Sequence, residues 1–195
     1  MDIFLRGLVI GFSIAAPVGP IGMLCIQRTL AEGRLSGFLS GLGAATADAF
    51  YGAVAAFGLT FLEKFLINQQ TWLRLIGGVF LIWLGIRTIL GKATRKTADI
   101  NRTNPFSAYF STVLLTLTNP MTIITFTAIF ASIKLDTGGK YGSAGLLVFG
   151  VFLGSAAWWL SLSLGIGLLR NRSNDQIIVW INRLAGIIII VFGIY

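Results

Sequence analysis

The chain has no histidine and a single cysteine, Cys25, among its 195 residues. One cysteine cannot close an internal disulfide, which excludes a disulfide-stapled fold and any thiol-redox protein that needs a cysteine pair. Cys25 reads instead as a small apolar packing residue. Charge is scarce as well: Asp, Glu, Lys and Arg make up 11% of the residues, against about a quarter in an ordinary soluble domain. That shortage excludes a soluble globular fold. Acids are the rarer sign, 7 against 15 bases, and the net charge is +8. In a soluble chain such an excess points to nucleic acid. Here the cations fall in short clusters between apolar blocks, where they mark cytoplasmic loops, and nucleic acid is not expected as a partner.

What the chain has in quantity is apolar surface, 55% of its residues. A spanning helix needs roughly 20 predominantly apolar residues. Six blocks meet that length, near residues 7 to 26, 37 to 61, 73 to 90, 107 to 132, 143 to 168 and 177 to 195. The expected fold is therefore an all-α integral membrane protein of six transmembrane helices, one domain over residues 1–195, with the lipid bilayer around it. The N-terminus has no basic leader region, since Asp2 precedes Arg6 and the apolar run exceeds that of a signal peptide; it is expected to remain as the first span. Residues 27 to 36, 91 to 106 and 169 to 176 carry eight Lys or Arg together, and the alternate segments carry four. That bias places the first, third and fifth connections in the cytoplasm and both termini outside.

The longest polar stretch, residues 91 to 106, divides the chain into halves of about 1–90 and 107–195. Each half holds three spans, so the second half enters from the opposite side of the membrane. This is the inverted-topology repeat, 3+3, of many secondary transporters. Trp72, Gly78 and Gly85 recur as Trp180, Gly186 and Gly193 at a constant offset of 108. The first and fourth spans each carry proline inside the apolar run, Pro17 and Pro20 in one and Pro120 in the other. Matching interrupted helices in the two halves point to a transport site.

Proline removes a backbone donor and clashes with the preceding turn, so Pro17-Val18-Gly19-Pro20-Ile21-Gly22 is expected to open or kink the first span. At membrane depth, freed backbone groups are tolerated against protein or a water-lined cavity, and the start of the following half-helix attracts an anionic group such as a carboxylate. The bland alternative is a packing kink. In the fourth span, Thr118, Asn119, Pro120 and Thr122 form a polar middle. Ser111, Thr118, Thr122 and Thr125 follow helical spacing and are expected to share one face. Asn119 offers substrate a donor and an acceptor, although threonines also satisfy themselves on their own helix.

Asp48, mid-span in the second block, is the sharpest feature. An ionisable group there costs at least about 2.5 kcal/mol on insertion scales and marks function by default. No Lys or Arg within the spans is expected to pair with it, which suits a carboxylate that exchanges a proton or meets a substrate ammonium group. The alternative is a protonated acid hydrogen-bonded to Thr46 or Tyr51. Small residues recur every fourth position, at Gly7, Gly11, Ala15 and Gly19, at Gly37, Gly41, Ala45, Ala49 and Ala53, and at Gly150 and Gly154, as ridges for close helix contact. Trp72 and Trp180 read as interfacial anchors, while Trp158 and Trp159 face either lipid or a gate.

The Pro-x-Gly-Pro motif at Pro17 to Pro20, the following Ala31-Glu32-Gly33-Arg34 with the small-residue helix carrying Asp48, and Asn119-Pro120 together resemble the LysE/RhtB family of amino-acid exporters over nearly the whole chain. The chain departs from the family pattern at Ile21-Gly22 and at Met121. The resemblance implies proton-motive-force-driven efflux of amino acids or related metabolites across the bacterial plasma (inner) membrane. The expected partners are then a small-molecule substrate and protons, with no cofactor; a homodimer stays open. Two rival classes remain. A metal-ion exporter would want His, Cys or clustered carboxylates, and the apolar blocks offer one acid and one cysteine. A membrane enzyme would want convergent polar groups at a membrane face, and a scaffold leaves the polar breaks without a role.

Overall fold

The computed structural model describes residues 2–17, 19–57, 65, 68–90, 105–119, 122, 125–126, 141–170 and 175–194. Among them run seven helices: α1 (Ile3–Ala15), α2 (Pro20–Glu32), α3 (Arg34–Ala56), α4 (Gln70–Leu90), α5 (Pro105–Leu117), α6 (Tyr141–Arg170) and α7 (Asp175–Ile194).

The expected first span is two helices. α1 runs to Ala15, and Ala16 follows as its C-cap, still at helical angles with its N–H donating to the Phe12 carbonyl; Pro17 comes next and has no N–H with which to continue the ladder. Pro20 then opens α2 at its first turn, after Gly19 as N-cap, where its fixed φ suits the helix and its missing N–H is no loss. The axes of α1 and α2 diverge by 79°. The break expected at Pro17 to Gly22 is present.

The ten-residue loop expected at 27 to 36 is not. α2 continues to Glu32 and α3 begins at Arg34, leaving Gly33 alone between them. Gly33 has φ 111°, in the left-handed region that glycine enters without a Cβ penalty. Its N–H donates to the carbonyls of Arg28 and Thr29, each at 3.1 Å, so both helices run up to the one residue that can turn. Arg28 is therefore a helical residue and not a loop cation.

By length and composition, α4 over Thr71–Leu90 and α6 over Tyr141–Leu169 qualify as spans on their own, and the bent pair α1 and α2 makes a third. Phe106–Leu117 and Val179–Ile194 are shorter apolar helices. α3 is long enough but too rich in small and polar residues, and its position supplies the reason. It packs against α2, α5 and α6 and buries Ser40, Gly41, Gly43, Ala44, Ala45 and Asp48, so it meets protein where the outer helices meet lipid. α4 shows the contrast, with Trp72, Leu75, Ile76, Val79, Trp83 and Leu90 all exposed. An apolar face that large is unsuited to water and suits hydrocarbon.

Close contacts follow the glycine ridges. Gly7 and Gly11 lie on the backbone of Leu147 and Val151, and Gly150 and Gly154 lie on that of Phe4 and Leu8; a Cβ at any of the four collides with backbone. The first ridge ends before Gly19, where a Cβ would meet nothing within 4 Å.

Two pairs of contacts echo one another. Gly150 of α6 faces the Phe4 carbonyl and the Leu8 N–H of α1, and Gly43 of α3 faces the Tyr109 carbonyl and the Val113 N–H of α5. A shift of 107 residues carries Gly43 to Gly150, and a shift of 105 carries Phe4 to Tyr109 and Leu8 to Val113. On the antiparallel α4 and α7, Gly78 meets Gly193 and Gly85 meets Gly186, and the 108 offset exchanges these two contacts.

Candidate functional site

α3 and α6 carry two apolar clusters stacked along their seam. One contains Ala44 and Ala45 of α3, Trp159 of α6, Ile21, Leu24 and Cys25 of α2, and Leu115 of α5. The other contains Tyr51 of α3, Val151 and Leu147 of α6, Ile10 of α1 and Phe126. Asp48 lies between Ala45 and Tyr51 on α3, and Ser155 lies between Val151 and Trp159 on α6. The two meet there. The Ser155 hydroxyl donates to the Asp48 carboxylate at 2.7 Å, and the Trp159 indole N–H donates to the Ser155 oxygen at 3.1 Å. Asp48 is 4% exposed and Ser155 0%. A carboxylate at such depth is costly without hydrogen-bonding partners, and this donor chain supplies a neutral one. Thr46 and Tyr51, the partners considered from sequence, bond elsewhere. Thr46 donates to the Leu42 carbonyl and shares a hydrogen bond with the Tyr109 hydroxyl.

Tyr51, one turn beyond Asp48, donates its hydroxyl to the Leu117 carbonyl at 2.7 Å. Leu117 is the last residue of α5, immediately before the second break. The chain turns there: the Asn119 N–H donates to the Thr116 carbonyl, and the Asn119 carbonyl accepts from the Thr122 N–H. Pro120 lies outside the described residues. Thr118 is buried and donates to the Leu114 carbonyl at 2.8 Å. Thr122, like Asn119, is half-buried.

The single threonine face expected from Ser111 through Thr125 is corrected. α5 ends at Leu117, so helical spacing does not carry across Thr118 and Asn119. The hydroxyls most deeply buried on α5 are Thr112 and Thr116, at 0% and 1% exposed, and each donates to a carbonyl four residues back. At the first break, Pro20 and Gly22 are buried at the start of α2, Gly19 is half-buried, and Pro17 is exposed. Trp159 faces inward, and Trp158 lies edge-on to Phe12 with ring centroids 5.3 Å apart.

Sequence reasoning missed Arg28, which had been placed in a loop. It is 8% exposed and donates from Nη1 to Ser40 at 2.7 Å, the Ala108 carbonyl at 2.9 Å and Thr112 at 3.1 Å, and from Nη2 to Ser111 at 2.8 Å. It thus ties α2 to α3 and α5. A signal existed: Arg28 stands four residues after Leu24, on the buried face of a helix that needs a full run after Pro20. Ser155 and Trp159, also four apart, were equally legible as one helical face.

A glycine-packed helical bundle with a lipid-suited exterior and a carboxylate buried on its innermost helix defines a membrane-embedded protein with a polar seam inside. The chain belongs to the LysE type translocator family, whose model matches residues 12–195. It is 31% identical over 202 residues to a Bacillus subtilis (strain 168) protein provisionally named amino acid efflux protein YcgF, covering 100% of this chain and 95% of that one. It is 30% identical over 173 residues to the uncharacterized membrane protein YahN of Escherichia coli (strain K12), covering 87% and 77%. It is 25% identical over 187 residues to the threonine efflux protein of Salmonella typhi, covering 91% and 88%. No solved structure matches the chain.

Proposed function

We propose that this protein exports amino acids or closely related small metabolites across the bacterial plasma membrane, driven by protons, by alternating access. The observation that carries the reading is the Asp48–Ser155 contact: an acid 4% exposed, held by a neutral hydroxyl at 2.7 Å, where two apolar clusters meet on the α3–α6 seam. A carboxylate with a neutral partner can take up and release a proton without breaking an ion pair. Its position between two separately packed clusters suits a seam about which they move. The efflux names of the relatives support amino acids as cargo.

The arrangement proposed is six spans in one domain, with repeats over about 1–90 and 107–195 of opposite topology and both termini extracytoplasmic. The paired contacts of Gly43 and Gly150, and of Gly78–Gly193 and Gly85–Gly186, support it, because each contact has a counterpart in the other half. Substrate is held between the Pro17 to Gly22 break, where Gly19 and Pro20 open α2, and the break at Thr118, Asn119, Pro120 and Thr122. Tyr51 links the Asp48 helix to the second of these.

Proteoliposomes preloaded with a panel of amino acids, with and without an imposed proton gradient, test the reading. At least one amino acid leaves faster under the gradient, and Asp48→Asn loses that acceleration while still inserting and folding. Gradient-driven efflux that survives the substitution removes Asp48 from coupling, and a panel in which nothing moves removes the cargo assignment.

A further inference from the structure

Arg28 is a charge for which the mechanism above has no use. Its surroundings are built of oxygen but contain no anion. Ser40 donates its own hydrogen to the Ser36 carbonyl at 3.0 Å, and Ser111 and Thr112 donate theirs to the Ala108 carbonyl at 3.1 and 2.9 Å. All three hydroxyls therefore turn lone pairs toward the guanidinium. Glu32, one turn along α2, is exposed and accepts a hydrogen bond from Ser36. Arg87 is a cation, placed over the Trp83 ring at 5.4 Å. Among the described residues no carboxylate forms an ion pair with Arg28.

A guanidinium has five N–H donors in a fixed fork. Nη1 spends its two on three acceptors and Nη2 spends one on Ser111. The Nε–H and one Nη2 N–H have no partner among the described residues, and Nε and Nη2 together form one edge of the fork. That edge has the geometry of a bidentate carboxylate contact, and charge-assisted bonds of this kind are about twice as strong as those to neutral oxygens. A buried ionisable group in a membrane protein is by default a functional site with a missing partner.

We propose that the Nε–Nη2 edge of Arg28 binds the carboxylate of the exported amino acid, at the end of the bundle where α2, α3 and α5 converge. The proposal rests on the amino-acid efflux reading above. This site is separate from Asp48. Ser40, the Arg28 partner on α3, stands eight residues before Asp48, roughly 12 Å along the helix at 1.5 Å per residue, whereas the ammonium and carboxylate of one α-amino acid share a single carbon. The ammonium and carboxylate of one substrate molecule therefore do not bridge Arg28 and Asp48 at once.

The test uses the full chain in proteoliposomes, first with a mixture of free amino acids to find one that is moved, then with that amino acid and its carboxamide, which keeps the side chain and ammonium group but lacks the negative charge. The wild-type protein prefers the free acid by roughly tenfold or more, the loss expected when a charged hydrogen-bond pair is removed. Arg28→Gln raises the KM for the acid and brings the acid-to-amide ratio close to one. Arg28→Lys, which keeps the charge but not the fork, gives an intermediate ratio. If Arg28→Gln fails to fold, the wild-type ratio and Arg28→Lys decide. Equal transport of acid and amide by the wild type, or an unchanged ratio in both variants, overturns the carboxylate site while leaving efflux intact. A wild-type protein that moves none of the mixture overturns the efflux reading and this site with it.

Discussion

The Ser155 hydroxyl donates to the Asp48 carboxylate across the α3–α6 seam at 2.7 Å, and the 107-residue shift that carries Gly43 to Gly150 also carries Asp48 to Ser155. The polar contact at the centre of the bundle thus joins positions that correspond in the two halves, an acid in one and a hydroxyl in the other. The first half carries the charge and the second carries its hydrogen-bond donor. In the proton-driven cycle proposed above, a proton taken up or released at Asp48 alters this bond between the halves.

Ser155→Ala leaves the carboxylate buried without its donor and deprives the Trp159 N–H of an acceptor. A buried group stripped of its partner costs about 1–3 kcal/mol, with interhelical bonds in membrane proteins nearer 0.6 kcal/mol on average, so a loss on the order of 1 kcal/mol is expected. Ser155→Thr keeps the hydroxyl and should recover most of it. Reversible unfolding in mixed micelles measures both; equal stability of Ser155→Ala and the parent protein contradicts the assignment of Ser155 as the support of Asp48.

The glycine contacts make a sharper test of the paired architecture. A Cβ at Gly43 collides with the Tyr109 carbonyl, and one at Gly150 collides with that of Phe4. Forcing a methyl into packed backbone costs typically 1–3 kcal/mol. Gly43→Ala and Gly150→Ala should therefore each destabilise by that order and by similar amounts, whereas Gly165→Ala, with nothing within 4 Å of its Cβ, should be neutral or slightly stabilising. Unfolding midpoints of the three variants decide it. Two very different losses at Gly43 and Gly150 would contradict equivalent packing.

How much of this was legible in the sequence depends on how local the cause was. Proline acts on its own neighbours, so the break around Pro17 and Pro20 could be read directly, and small residues four apart announced the close packing at Gly7, Gly11, Gly150 and Gly154, though not at Gly19. Gly33 was harder. That one glycine could replace a ten-residue loop depended on both flanking helices having buried faces up to its edge, and Arg28 looks like a loop cation until its acceptors on α3 and α5 are known. Three of those, Ala108, Ser111 and Thr112, stand 80 or more residues away. Asp48 could be singled out as a lone acid in an apolar block, but its partner stands 107 residues away, and no local pattern specifies such a pair. α3 does not pass as a span on hydropathy because it is shielded by protein and tolerates small and polar residues.

Tyr51→Phe tests the link between the Asp48 helix and the second break. It removes the hydroxyl that satisfies the Leu117 carbonyl at 2.7 Å, a terminal carbonyl with no partner of its own within the helix. The ring remains packed on Phe126, with centroids 5.6 Å apart, so apolar burial is nearly unchanged. Roughly 1 kcal/mol of stability should be lost, together with a reduced efflux rate if the break must hold its shape. Unaltered stability and rate would show that the Leu117 carbonyl finds another donor.

Cys25 offers a probe of motion that needs no engineering, because it is the only thiol in the chain. It is 1% exposed in α2, packed in the same cluster as Ala44, Ala45 and Trp159, and its carbonyl accepts from Thr29 at 2.7 Å. A maleimide added to the resting protein should therefore react slowly. If transport opens the seam between that cluster and its neighbour, labelling should accelerate several-fold when an exported amino acid and a proton gradient are both present, and Asp48→Asn should abolish the acceleration without changing the resting rate. Mass spectrometry of the intact protein gives the labelled fraction directly. Fast labelling at rest would contradict the burial of Cys25, and a rate indifferent to substrate and gradient would mean that α2 keeps its packing throughout the cycle, moving the opening away from the α2 side of the Asp48 seam.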